Sequence, residues 1–294
     1  MLQQSPNKAD RELARHVDLL PICNHCLNGH SSEKASSKQS SATPETPQKF
    51  MQHLCADNSG IQNIATSTGY LYFMLIVCVV TSFVWLYLLK SPTESTKEFE
   101  KFLRDIPKQH LTKTVKTFKA DHGPADFGNS SFEHLLRKYS ITRLPTGGSS
   151  THNSKAERRI GLVQTDVLTC MSWANAPRIW WGHCAQYCAT TRNLIPLPTN
   201  AAFKSPYETA YNKPPDRSMQ QPFGCLAFVN IPRIARGGKL NHRRATRTCA
   251  MIGYQLRPDG HPNAYKLFDC DTGEIIIRPA KLVSFNPDIP VMVH

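Results

Sequence analysis

Between Asn58 and Leu89 the chain carries no charged residue. Within this stretch, GYLYFMLIVCVVTSFVWLYLL from Gly69 to Leu89 is long enough to cross a bilayer as one helix. Its content points elsewhere. Tyr, Phe, Val, Ile, Thr and Trp dominate, and Thr81-Ser82 interrupts the middle, the pattern of two buried strands joined by a tight turn near residues 80 to 82. Gly69 and Lys90-Ser91-Pro92 punctuate its ends in the same sense. A buried hairpin and a single membrane span are therefore the two competing readings.

The rest of the composition constrains the partner and the compartment. Thirty-five Lys and Arg against 22 Asp and Glu leave a net charge of +13, which favours a polyanionic partner. The 10 Cys are scattered over 294 residues, and MLQQSPNKADRELAR lacks the apolar core of a signal peptide. Reduced thiols in an intracellular protein are expected. Residues 31 to 48 read as a linker.

Periodicity then orders the chain as β-β-β-α-β-α-β-α-α, a mixed sheet with helices packed on it. Phe50 to Ala56 is the first strand and Val115 to Ala120 the fourth. Capping boxes Ser95/Glu98 and Ser130/Glu133 start two helices, and Asn153 caps a long one whose stripe carries Ile160, Val163, Val167, Leu168 and Met171. Pro177 starts another helix that buries Trp181, Cys184 and Cys188. These two cysteines and His183 have metal-like spacing, with packing as the preferred reading. From Gly224 onward short β runs follow one another.

Three carboxylates fall where chemistry can use them. Asp57 and Asp121 each end a strand, and Glu157 lies in the first turn of the long helix, on the Ile160 stripe and so expected to face the sheet. Carboxylates at adjacent strand ends, with one from a helix above, can hold two Mg²⁺ about 4 Å apart for in-line phosphodiester chemistry. Ordinary polar residues at element ends is the competing explanation.

The segments around these acids resemble the integrase of copia-type long-terminal-repeat retrotransposons. VKTFKADHGPADFGNSSFEHLLRKYSI is similar to the family's second-aspartate block, STHNSKAERRI to the block bearing its Glu, and CADNSGI to the block bearing its first Asp. WLYLLKSPTESTKEFEKF, SPYETAYNKPPD, QPFGCLAFV and MIGYQ…AYKLFD have counterparts in the same order, so the resemblance runs collinearly over residues 20 to 285. It implies a ribonuclease-H-like α/β fold with a mixed five-stranded sheet and flanking helices, followed by a small C-terminal β domain. It also implies a D,D-35-E catalytic triad of Asp57, Asp121 and Glu157 binding Mg²⁺ or Mn²⁺, and assigns the apolar run to two strands of the sheet.

The implied organisation is a remnant of a CxxC module at 1–30, a linker at 31–48, a catalytic core at 49–195, a second linker at 196–222 and a small basic β domain at 223–294. The implied activity is that of a polynucleotidyl transferase: metal-dependent DNA 3′-end processing and strand transfer, by a homo-oligomer in the nucleus. Cys23 and Cys26 resemble half of a zinc module whose His pair lies upstream in the family, with His16, His25 and His30 as substitutes and Zn²⁺ as the ion. PRIARGGKLNHRRATR at 232–247 supplies Arg233, Arg236, Lys239, Arg243, Arg244 and Arg247 with no acid, and Arg158 and Arg159 adjoin Glu157, all placed for DNA phosphates. Departures from the family pattern are Ser154 for Gly, Ile61 for Pro and Asp126 for Glu. They keep a second reading open, a catalytically decayed nucleic-acid-binding remnant.

Overall fold

The computed structural model describes residues 49–105, 115–121, 123, 126–145, 154–197, 200–231 and 246–291. The first sheet is built from β1 (His53–Asn58), β2 (Tyr72–Cys78), β3 (Val84–Leu89), β4 (Thr117–Lys119) and β5 (Thr142–Arg143) in the order β3-β2-β1-β4-β5. β1, β2 and β3 form an antiparallel meander, and β4 and β5 continue parallel to β1. This is the mixed sheet of a ribonuclease-H-like fold. The parallel step from β3 to β4 is bridged by α1 (Ser95–Asp105), and that from β4 to β5 by α2 (Ser130–Lys138).

The apolar run is a hairpin. Tyr72 pairs with Leu89 and Val77 with Val84, and Ser82 turns the chain with φ 62°. β2 shows no polar alternation because both of its faces are covered. Met74, Ile76 and Cys78 pack with Phe99, Phe102 and Phe132 of α1 and α2. Phe73, Leu75 and Val77 pack on the other side with α3 (Ser154–Ala174) and α4 (Trp181–Leu194). Asn193 of α4 clamps the returning strand, accepting from Val84 N–H at 2.8 Å and donating to its carbonyl at 2.8 Å. Among the described residues no helix is long and apolar enough to cross a membrane, which overturns the single-span reading.

Several local expectations shift. The chain enters α1 through a 3₁₀ turn at Pro92–Glu94 capped by Ser91, so Ser95 is already helical, and its hydroxyl donates to Pro92 O at 2.7 Å instead of capping. Asn129, not Ser130, caps α2 by accepting from Phe132 N–H at 2.8 Å, while Glu133 is drawn off to Arg143. Leu168, expected on the buried stripe of α3, is 61% exposed. The Asn153 cap lies outside the described residues.

Residues 200–222 run as a packed strap. Its α5 (Pro206–Tyr211) buries Tyr207, whose hydroxyl donates to Asp259 at 2.9 Å, and Tyr211 lies edge-on to Phe50 and Phe83. The second sheet, wholly antiparallel, contains β6 (Cys225–Asn230), β7 (Thr246–Leu256), β8 (Pro262–Asp269), β9 (Ile275–Arg278) and β10 (Val283–Pro290) in the order β10-β6-β7-β8-β9. One face holds Cys225, Ala227, Met251 and Leu267. The other face sends Ala250, Ile252 and Phe268 into the core around α3 and α4. The helix pair α3–α4 is thus packed between the two sheets. Gly224, with φ 77°, permits the closest approach, since a Cβ there would fall 2.4 Å from Ala174 Cβ at the end of α3.

Candidate carboxylate site at the sheet edge

β1 and β4 run parallel with His53 opposite Thr117, Leu54 opposite Phe118 and Cys55 opposite Lys119. Continued past the end of β4, the same register brings Asp57 opposite Asp121. Side chains two apart on a strand share a face. Cys55 lies in the core with Ala156, Ile160 and Val163 of α3, so Asp57 is on the side of the sheet that α3 covers. Glu157 follows Ala156 in the first turn of α3. Its carboxylate is exposed, a correction to the expected inward orientation, because Ala156, Ile160 and Val163 carry the buried stripe and Glu157 stands at its border.

The charges of these groups meet at Asp57. Burial raises its pKa to about 6, with the negative charges of Asp121, Glu157 and Asp126 adding to the rise and the Asn58 backbone N–H, donating to Oδ1 at 2.9 Å, opposing it. Asp126 is a fourth acid of the site, which sequence reasoning noted only as a departure from a motif. Burial raises its pKa too, against a hydrogen bond from Asn58. Its loop is closed by Asp126 N–H and Gly128 N–H, both donating to Gly123 O, at 3.0 and 2.8 Å. Asn58 is anchored by donating to Ser95 Oγ at 2.8 Å, which joins the site to the start of α1.

Two nearby cations, Arg143 and Lys155, are committed to other partners. Arg143 reaches Asp121 only at its backbone carbonyl, at 3.4 Å, and places its charge on Glu133 at 2.7 Å. Lys155, beside the acids in sequence, donates to Val79 O, and burial lowers its pKa. Among the described residues no cation is ion-paired to Asp57, Asp121, Asp126 or Glu157, and oxygen donors of this kind suit a hard divalent ion. The acids are less tightly gathered than a group of thiols elsewhere: among the described residues, the only three metal-ligating side chains with donor atoms all within 4.8 Å are Cys170, Cys184 and Cys188.

No family model matches the chain. Transposon proteins do, among them three Pol polyproteins. The retrovirus-related Pol polyprotein from transposon TNT 1-94 of Nicotiana tabacum is 26% identical over 251 residues, 84% of this chain and 18% of that protein. Those from transposons RE1 and RE2 of Arabidopsis thaliana are 23% identical over 235 residues and 24% over 256, covering 80% and 86% of this chain. The chain is a relative of copia-type transposon Pol polyproteins. It spans less than a fifth of the length of these relatives, 18%, 15% and 16% respectively. Among solved structures, a chain of the simian T-cell lymphotropic virus intasome in complex with PP2A regulatory subunit B56 gamma aligns at 16% identity and a TM-score of 0.40, covering 82% of this chain and 83% of its own.

The basic residues of this Pol-related region divide into distinct environments. Arg158 is exposed beside Glu157, and Arg159 is half-buried, its pKa lowered by burial and by the charges of Arg192 and Arg158. Arg247, expected at DNA phosphates, is instead ion-paired at 3.0 Å with Asp269, whose side chain is fully buried. Arg233, Arg236, Lys239, Arg243 and Arg244 lie outside the described residues, as do Cys23, Cys26, His16, His25 and His30. His183 parts company with Cys184 and Cys188. It lines a cavity of about 340 Å³ between β3, α4 and β7, where burial and the Lys266 charge lower its pKa to about 4. The eight described cysteines are all unbridged.

Proposed function

We propose that this chain is the integrase portion of a retroelement Pol protein, a polynucleotidyl transferase that trims the ends of element DNA and joins them to target DNA. The observation that carries the reading is the charge of Asp121 and Glu157 felt at Asp57, with the β1/β4 register, continued two residues past β4, bringing Asp121 level with Asp57.

Asp57, Asp121 and Glu157 would hold Mg²⁺ or Mn²⁺, with Asp126 as an auxiliary acid. When bound, the metal pair supplies an activated attacking oxygen and a stabilised leaving oxygen. The chain's own part is positional. β1 carries Asp57 from a core buried on both faces, and Asp121 follows two residues after the end of β4, so the sheet sets where the two carboxylates start from before substrate arrives. Glu157 sits on the exposed border of α3, where a DNA strand can reach it, and Arg158 beside it is placed to take a phosphate. The basic segment at 232–247 adds sequence-independent affinity. A homo-oligomer acting in the nucleus follows from joining two DNA ends to a chromosome.

The test is strand transfer of a 3′-hydroxyl end into plasmid DNA by the purified chain in Mg²⁺. Glu157→Gln is expected to lower the rate at least about 100-fold, the scale of losing one electrostatic stabiliser of a transition state. Arg243→Ala with Arg244→Ala should leave the chemistry intact and flatten the salt dependence of DNA affinity by about 0.9 per lost contact. Salt-dependent DNA binding without any metal-dependent joining would establish the decayed remnant in place of the enzyme.

A further inference from the structure

The helix pair between the two sheets carries a cluster that the carboxylate chemistry does not use. Cys184 and Cys188 lie one turn apart on α4, and Cys170 faces them from α3. All three Sγ atoms fall within 4.8 Å of one another, and those of Cys184 and Cys188 are 4.0 Å apart. We propose that Cys170, Cys184 and Cys188 form a structural Zn²⁺ site that clamps α3 to α4.

The spacing fits the ion. Two thiolates on one tetrahedral Zn²⁺, with Zn–S near 2.3 Å, stand about 3.8 Å apart, so Cys184 and Cys188 need almost no movement and Cys170 must close by no more than about 1 Å. Softness fits as well, since thiolates select Zn²⁺ or Cu⁺ over hard cations. Charge decides between those two. Three thiolates leave one net negative charge on Zn²⁺ and two on Cu⁺, and buried uncompensated charge is costly. Zn²⁺ needs a fourth ligand, and Cys170 provides the route for it. Cys184 and Cys188 are buried, whereas Cys170 is part-exposed and lines a groove of about 640 Å³ with Thr169, Trp173 and Tyr187. Among the described residues the cluster has no fourth His, Cys, Asp or Glu donor, so a water from that groove would complete the tetrahedron.

Hydrogen bonds from Cys184 and Cys188 hold the Cys170 pKa well below the ordinary thiol range, whereas burial pushes Cys184 up. Each thiol gives up its proton as the ion enters, so uptake releases protons and weakens at low pH.

Plain packing of three small apolar groups is the competing account, and the test separates the two. The full chain carrying Cys23→Ser and Cys26→Ser, fully reduced, is titrated with Co²⁺ as a spectroscopic stand-in for Zn²⁺. One equivalent should bind with a cobalt–thiolate charge-transfer band that Zn²⁺ bleaches, and Zn²⁺ should raise the melting temperature. Cys170→Ser, at the rim and without a large packing cost, should lose both the band and the melting shift while keeping the circular dichroism of the parent. A folded, reduced parent that takes up no Co²⁺ would overturn the proposal. So would a Cys170→Ser variant that keeps the band, or a disulfide among the three cysteines found by mass spectrometry of the isolated protein. Glu157→Gln should leave this titration unchanged, so the thiol site and the carboxylate site fail or stand separately.

Discussion

Asp57 near the end of β1 and Asp269 at the end of β8 are both strand-end carboxylates withdrawn from water, and the molecule treats them in opposite ways. Asp269 is fully buried, yet Arg247 and the backbone N–H groups of Asp271 and Thr272 outweigh the burial and hold its pKa below the ordinary value. Asp57 has a single backbone N–H against burial and three acidic neighbours, and its pKa rises to about 6. The second sheet therefore settles its acid internally. The first sheet leaves its acid in deficit, an arrangement that costs stability and makes sense where a cation is to be supplied from outside.

Removing the satisfied acid gives the largest effect on the fold. Asp269→Ala strands Arg247 and unpairs the N–H groups of the β8–β9 turn. Breaking a buried pair from one side costs about 3–5 kcal/mol, and partial exposure of Arg247, 42% at its side chain, lowers the expectation to about 2–3 kcal/mol. Urea denaturation measures it, and a loss under about 0.5 kcal/mol would place Asp269 among ordinary surface substitutions and void the contrast.

The same manipulation of the unsatisfied acid should have the opposite sign. Asp57→Asn keeps the shape and removes the charge. From its ordinary value of 3.8 to about 6 the full linkage would be about 3 kcal/mol, and solvent at this part-exposed position reduces the gain to about 1 kcal/mol at pH 7 without metal. The variant should therefore melt higher than the parent while losing strand transfer. A variant that melts lower would mean that the Asp57 carboxylate is structurally paired.

How much of this contrast could be read from the chain follows from how local each feature is. The hairpin at 72–89 was legible because β-branched and aromatic residues flank a polar turn, and Asp57 and Asp121 were legible as acids closing apolar runs. Asp126 joins the site only through the loop at Gly123, and Cys170 joins Cys184 and Cys188 only across two helices, relations that no periodicity encodes. The pairing of Arg247 with Asp269 escaped for the same reason. It is a cross-strand contact between β7 and β8, so a cluster of basic residues in sequence gave no sign that one of them was already neutralised. The caps moved by one to four residues, from Ser130 to Asn129 and from Ser95 to Ser91, because a preceding 3₁₀ turn or a stronger neighbour took the N-terminal N–H groups.

The smallest effect, and the one that separates the two acids most cleanly, is in the pH dependence of metal-free stability. A raised folded pKa means that the Asp57 contribution is fully present below the unfolded value near 4 and is lost as pH rises through about 6. The stability difference between Asp57→Asn and parent should accordingly be near zero at pH 4, grow to its full size by pH 6 to 7 and stay flat above, measured by thermal melts at fixed ionic strength. Asp269 runs the other way. Its pKa is lowered, so its contribution is present above the unfolded value and is lost as pH falls below about 4. The two windows do not overlap, and each acid can be titrated without the other. Mg²⁺ then sharpens the result. Binding only the ionised site, it should restore to the parent at pH 7 about 1.4 kcal/mol for each tenfold excess over its dissociation constant, shrink that restoration at pH 5, and leave Asp57→Asn unmoved. An equal Mg²⁺ shift in parent and variant would show that the cation binds elsewhere, and the deficit at β1 would have no ligand to explain it.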